Sequence, residues 1–240
     1  MGVQLPSFGI KLRKEQMMLD AIIISDLHLG SSICKRGKLL HFLNTLPRTE
    51  RLILNGDVLE NLSCLLRSAD WEILSVIKSL SKITQVIWVK GNHDNDAGEV
   101  AKLINAKFVD DYKFESGPTH CLCVHGDKWD TYMKLHPILL RVIDSVYLRS
   151  QQWFPRLATF LKHRSKIMSR CCQDVMFGAL KMKYDKLCYQ VFCGHTHMAE
   201  DTFAYKNSGC WTESRCHYIT VKDGFAVLTE FGAAPGGSAL

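Results

Sequence analysis

The chain has 240 residues, 47 % of them apolar and 22 % charged, with a formal net charge of +6. That length supports one sizeable core of the kind found in a single α/β domain, and no apolar run reaches the roughly 18 residues needed to span a bilayer. The N-terminal stretch lacks the unbroken apolar segment of a secretory signal, Pro6 stands where a myristoylation signal wants Ser or Thr, and the ten cysteines form no CxxC pair. They are read as reduced core thiols of a cytoplasmic protein.

Residues 1–18 are expected to be a flexible extension, 19–232 a single domain, and 233–240 a flexible tail. Five short apolar runs rich in β-branched residues then recur, and each ends in a polar cluster. AIII (21–24) runs into SDLHLG, RLIL (51–54) into NGDVLEN, and QVIWV (85–89) into KGNHDND. HCLCV (120–124) runs into HGDKWD, and YQVF (189–192) into CGHTHMAE. Runs of this length predict strands buried on both faces of a layered α/β fold. Helical spacing covers 36–46 and 70–81. The interval 131–186 reads as two or more long amphipathic helices, HPILLRVIDSVYL and WFPRLATFLKHRSKIMSRCCQDVMFGALKMK, inserted between the fourth and fifth motif-bearing strands. DTFAY, CHYITV and FAVLTEF, separated by turn residues, predict a final meander. The expectation is a two-sheet α/β sandwich with a helical insertion.

Each polar cluster is weak by itself, since Gly, Asn and Asp are ordinary turn residues. Their shared position is the signal, because ligand sites of open α/β sheets gather outside the carboxyl ends of strands. Asp26, His28, Asp57, Asn92, His125, His195 and His197 all follow an apolar run. One ion would take Asp26, His28 and His197, a second would take Asn92, His125 and His195, and Asp57 would bridge them. Imidazole and oxygen donors without thiolate suit two divalent transition-metal ions, Mn first, with Fe, Zn or Co as alternatives. Such a pair lowers the pKa of a bridging water and clamps the attacking and leaving oxygens of a phosphoryl displacement, so the expected reaction is hydrolysis at phosphorus.

The same residues, D26-L-H28, G56-D57, G91-N92-H93-D94, H125-G-D127 and G194-H195-T-H197, resemble the calcineurin-like metallophosphoesterase superfamily. Glu60, Asp127, Asp130, the helical insertion and NSGCWTES (207–214) are most similar to its UDP-2,3-diacylglucosamine hydrolases of lipid A synthesis. The resemblance implies an αββα sandwich, the binuclear site and the ligand roles given above. It also implies that His93 protonates the leaving oxygen or steadies the phosphate, that Asp94 orients His93, and that the insertion is a lid over acyl chains. The plain alternative for Asp94 is a cap on a helix starting near Ala97. The best-known lipid A hydrolases carry Arg where His93 stands, whereas general phosphodiesterases carry His.

The expected substrate is therefore a pyrophosphate or phosphodiester, such as a UDP-diacylglucosamine-like glycolipid. The alternative is a general or cyclic-nucleotide phosphodiesterase. A non-catalytic interaction scaffold is the third reading, set against by the retention of every ligand position. Between Thr131 and Lys186 there are eleven Lys or Arg against three acids. This excess, mingled with Trp153, Phe154, Leu157, Phe160 and Leu161, fits solvated helix faces or a peripheral contact with an anionic inner-membrane surface. Nucleic acid is not the expected partner.

Overall fold

In the apolar runs alternate side chains face opposite ways, and both faces are buried. In the computed structural model, which describes residues 18–60, 65–136, 146–147, 149–150, 153–186 and 189–232, this alternation builds four layers. The elements run β1 (Ala21–Ile24), α1 (Arg36–Asn44), β2 (Arg51–Asn55), α2 (Ser68–Leu80), β3 (Gln85–Val89), α3 (Gly98–Leu103) and β4 (Lys107–Val109). The second half runs β5 (Tyr112–Ser116), β6 (Thr119–Cys123), α4 (Thr131–Leu135), α5 (Pro155–His163), α6 (Lys166–Lys186), β7 (Tyr189–Cys193), β8 (Ala199–Asp201), β9 (Lys206–Ser208), β10 (His217–Lys222) and β11 (Phe225–Glu230). One sheet has the order β11-β10-β1-β2-β3-β4 and the other β5-β6-β7-β9-β8.

Ile22, Ile24, Leu52, Leu54, Val86 and Trp88 of the first sheet pack outward against Leu39, Phe42, Ile73, Leu74, Ile77 and Ala101 of the helices α1 to α3. Their neighbours Ala21, Ile23, Ile53, Ile87 and Val89 pack inward against Phe114, Cys121, Cys123 and Phe192 of the second sheet. The outer face of that sheet, through Leu122, Val124, Val191 and Cys193, is covered by Val175 and Ala179 of α6. The fold is the expected αββα sandwich. Strands β1, β2 and β3 are parallel to one another, as are β6 and β7, so their carboxyl ends share a rim.

The expected helix at 136–148 but for His136, Val146 and Tyr147, the 1–18 extension but for Met18, and the 233–240 tail lie outside the described residues. The helical run expected from Trp153 onward is divided at Arg164–Ser165, because the Ser165 hydroxyl accepts the Ile167 N–H at 3.2 Å and starts α6 afresh. DTFAY is not a strand. Thr202 and Tyr205 close a tight loop on each other, Thr202 N–H to Tyr205 O at 3.0 Å and Tyr205 N–H to Thr202 Oγ1 at 3.1 Å, leaving Phe203 exposed between β8 and β9. Among the described residues eight cysteines are free, seven of them buried.

Helix α6 carries a glycine in mid-helix, which ordinarily costs about 1 kcal/mol relative to alanine. A methyl group at Gly178 would overlap the indole ring of Trp129, a rigid neighbour that forced overpacking displaces at a cost of about 1–3 kcal/mol. Gly178→Ala should therefore lower the thermal midpoint by a few degrees, against the usual stabilising direction of that change in a helix. A raised midpoint in a calorimetric scan would show that Trp129 has no fixed seat there.

Candidate metal centre

The rim loops hold their residues in backbone conformations that L-amino acids rarely adopt. Asp26, His28, Asp57, His195 and His197 have φ of 54°, 48°, 52°, 70° and 59°. Each left-handed residue costs on the order of 1–3 kcal/mol and persists only where its surroundings dictate it. Here the loops dictate it to one another. The Asp26 N–H donates to Gly56 O and the His28 N–H to Asp57 O, each at 3.0 Å, and the Gly194 N–H donates to His125 O at 2.9 Å. Close approach needs glycine as well, since a Cβ at Gly91 would occupy the place of the Asp57 carboxylate and one at Gly56 that of the His125 ring.

Side chains from all five loops converge. Ligand-capable atoms of Asp26, His28 and His197 lie within 4.8 Å of one another, as do those of Asp57, His125 and His195, and those of His28, Glu60 and His93. Asp57 stands between the groups. Its Oδ2 is 3.1 Å from His125 Nε2, 3.9 Å from His28 Nε2 and 4.0 Å from His93 Nε2. Asn92 Oδ1 is 3.1 Å from His195 Nδ1. All seven expected ligands and His93 therefore meet at one rim.

Hydrogen bonds on the outer side fix how the imidazoles face. A carboxylate or carbonyl can only accept, so His28 Nδ1–H donates to Glu60 Oε2 at 2.9 Å and His125 Nδ1–H to Asn55 O at 2.9 Å. Likewise His195 Nε2–H donates to Asp130 Oδ2 at 3.0 Å. The remaining nitrogen of each neutral ring is a bare lone pair, and it points inward at other lone pairs. His125 Nε2 is buried without a hydrogen-bond partner. His28 Nε2 and His197 Nε2 approach to 3.1 Å, and His197 Nε2 lies 3.3 Å from Asp26 Oδ1. Such a gathering of acceptors is costly unless cations occupy its middle. The donor set therefore fits the two divalent ions expected from the sequence.

The electrostatics agree. Burial opposes ionisation of Asp57, yet His125, His93 and His28 hold its carboxyl well below the usual carboxylate range. Burial would lower His125, but the facing Asp57 carboxylate drives it up to about 10, the response of an imidazole in a strongly negative field. His197 is instead pushed down to about 4 by burial and by the Lys162 ammonium, which favours its neutral form.

The other expected residues divide. His93 is partly open, with a side chain 34 % exposed, its Nδ1–H donating to Glu60 O at 2.5 Å and Nε2 4.0 Å from Asp57 Oδ2. Asp94 does not reach it. The Asp94 carboxylate is fully buried and accepts from Val58 N–H at 3.1 Å, Leu59 N–H at 3.2 Å, the Trp88 indole at 3.0 Å and Gly91 N–H at 3.1 Å. Burial and the nearby Asp57 push its carboxyl above the ordinary range. Asp94 thus ties the second and third rim loops together, and neither orients His93 nor caps α3 through its side chain. Sequence reasoning quoted Glu60 and Asp130 without assigning their roles. Their signal was a fixed offset, three residues after Asp57 and five after His125. Asn55 gave no signal at all, being a polar residue at the end of a buried strand; its amide donates to Phe192 O at 3.1 Å and Val124 O at 3.3 Å and so bridges the sheets.

No curated protein sequence matches the chain. Among solved structures it is similar to the phosphoesterase Yfce from E. coli, at 13 % identity over 88 % of this chain and 99 % of that one, with a TM-score of 0.46. It is also similar to an archaeal phosphodiesterase, at 15 % identity over 88 % and 98 % of the two chains and a TM-score of 0.45. A nuclease MPE from Pseudomonas putida is similar at 15 % identity over 92 % and 78 %, with a TM-score of 0.42. The family described as calcineurin-like phosphoesterase matches residues 20–199, which hold all five rim loops. The chain belongs to that family of metal-dependent phosphoester hydrolases.

Proposed function

We propose that the protein hydrolyses a pyrophosphate or phosphodiester bond at a pair of divalent ions, Mn first, in a UDP-diacylglucosamine-like substrate. The observation that carries the reading is the set of inward lone pairs on His28, His125 and His195, each fixed by an acceptor behind the ring. Asp26, His28 and His197 would hold one ion and Asn92, His125 and His195 the other, with the Asp57 carboxylate placed to serve both. When bound, the ions supply an activated water and neutralise the phosphate.

The chain's own residues do the rest. His93, at the open edge, acts as the imidazolium: Nδ1–H stays on Glu60 O while Nε2–H passes to the leaving oxygen, leaving the neutral ring, a general-acid role suited to an imidazole. Glu60 holds His93 through its backbone oxygen and His28 through its carboxylate. The neutral amide of Asn92 adds a ligand without adding charge, leaving the centre positive toward an anionic substrate.

The lipidic part of the reading rests on α5. Trp153 and Phe154 just before it, and Leu157, Phe160 and Leu161 within it, are more than half exposed, beside Arg156, Arg164 and Lys166. Apolar side chains flanked by cations suit acyl chains and an anionic lipid surface. His93 supports a second reading, a general or cyclic-nucleotide phosphodiesterase.

With added Mn, Asn92→Ala should abolish turnover of UDP-diacylglucosamine, a cyclic nucleotide and a bis-aryl phosphate alike. Fast hydrolysis of the cyclic nucleotide with none of the glycolipid would favour the second reading. His93→Ala should slow substrates with poor leaving groups by roughly 10²–10⁴-fold and those with good leaving groups much less; equal losses would refute the general-acid role. Arg164→Glu with Lys166→Glu should abolish co-sedimentation with anionic liposomes, and undiminished co-sedimentation would remove the membrane contact.

A further inference from the structure

His195 faces an acceptor on each side, Asn92 Oδ1 at 3.1 Å from Nδ1 and Asp130 Oδ2 at 3.0 Å from Nε2. A neutral imidazole has one N–H. Whichever side holds it decides whether Nδ1 can bind a cation. The Asp130 carboxylate, 1 % exposed, can only accept, so it draws the N–H to Nε2 and leaves the Nδ1 lone pair toward Asn92.

The support of Asp130 comes from the far side of the molecule. Cys171, Asp174 and Gly178 recur at i, i+3 and i+7 along α6, one face of the helix. The Cys171 thiol is pushed up by burial and by the Asp130 carboxylate beside it. Asp174 accepts the Thr131 N–H at 3.0 Å and the Thr131 hydroxyl. Gly178 leaves room for Trp129. Three successive residues, Trp129, Asp130 and Thr131, are thus gripped by one helix face. Val175 and Ala179, along the edge of the same face, anchor the helix on the second sheet.

We propose that Asp130 is a positioning residue for the second metal ion, fixing the tautomer and aim of His195, and that α6 is the element that holds it there. The inference rests on the two-ion reading of the centre. It gives the basic helical segment a task behind the site as well as over it. Carboxylates that receive the outer N–H of a metal-binding histidine typically contribute 10–100-fold to metal affinity.

The test is equilibrium Mn binding to the full chain by calorimetry and chelator competition, with Asp130→Asn as the variant. An amide can turn its NH₂ toward Nε2 and so stabilise the Nδ1–H tautomer, which cannot ligate through Nδ1. Wild-type protein should bind two ions. Asp130→Asn should keep one at wild-type affinity and bind the other 10–100-fold more weakly. Two ions at unchanged affinity in the variant would overturn the role of Asp130, whereas fewer than two in the wild type would overturn the two-ion reading itself. A check independent of any variant is the ¹⁵N spectrum of His195 in metal-free wild-type protein at alkaline pH. Protonation at Nε2 supports the assignment, and protonation at Nδ1 overturns it.

Discussion

Everything at the rim depends on one electrostatic conflict: imidazole lone pairs and carboxylate oxygens face one another across a small buried volume. Asp26 is fully buried and Asp57 is 2 % exposed, and the nitrogens that point at them cannot also be donors, because Glu60, Asn55 and Asp130 have taken the protons on the other side. Protons or cations must resolve the conflict. The facing carboxylates push His28 and His125 upward against their burial, the direction in which such a field draws positive charge to the rings. Divalent ions resolve it with more charge in less space.

That conflict explains why the loops are built at such conformational expense. Five ligand-bearing residues lie in the left-handed region, and each alone would relax to ordinary φ. The interlocking backbone bonds between the first two rim loops, and the four donors around Asp94, remove that freedom. The sheets contribute differently. The first supplies Asp26, His28, Asp57 and Asn92; the second supplies His125, His195 and His197. Asn55, on β2, joins the two halves by holding the His125 ring with its carbonyl and the second sheet's strand ends with its amide. The centre exists only where the two sheets are in register.

Much of this was legible from the sequence for a physical reason. A strand buried on both faces writes itself as an unbroken apolar run, and a polar cluster at its end can only sit on the rim. That logic placed Ala21–Ile24, Gln85–Val89 and the gathering of all seven candidate ligands at one rim. It failed where a residue's partner is remote. The resemblance paired Asp94 with His93; the Trp88 indole and two N–H groups of the loop after β2 take its carboxylate instead. DTFAY has the composition of a strand, but the Thr202 hydroxyl closes it into a loop. The basic segment read as two or more amphipathic helices, but which sheet face they cover did not; Val175 and Ala179 make α6 the outer layer of the sandwich, a fact carried by tertiary packing and not by periodicity.

The central claim is that the inward lone pairs form two adjoining ion sites that share Asp57. Anomalous diffraction from crystals equilibrated with Mn tests it directly. The account predicts two peaks roughly 3.5–4 Å apart, one against Asp26, His28 and His197, the other against Asn92, His125 and His195, with the Asp57 carboxylate in contact with both. A single peak, or ions bound elsewhere while these nitrogens keep their protons, would contradict it.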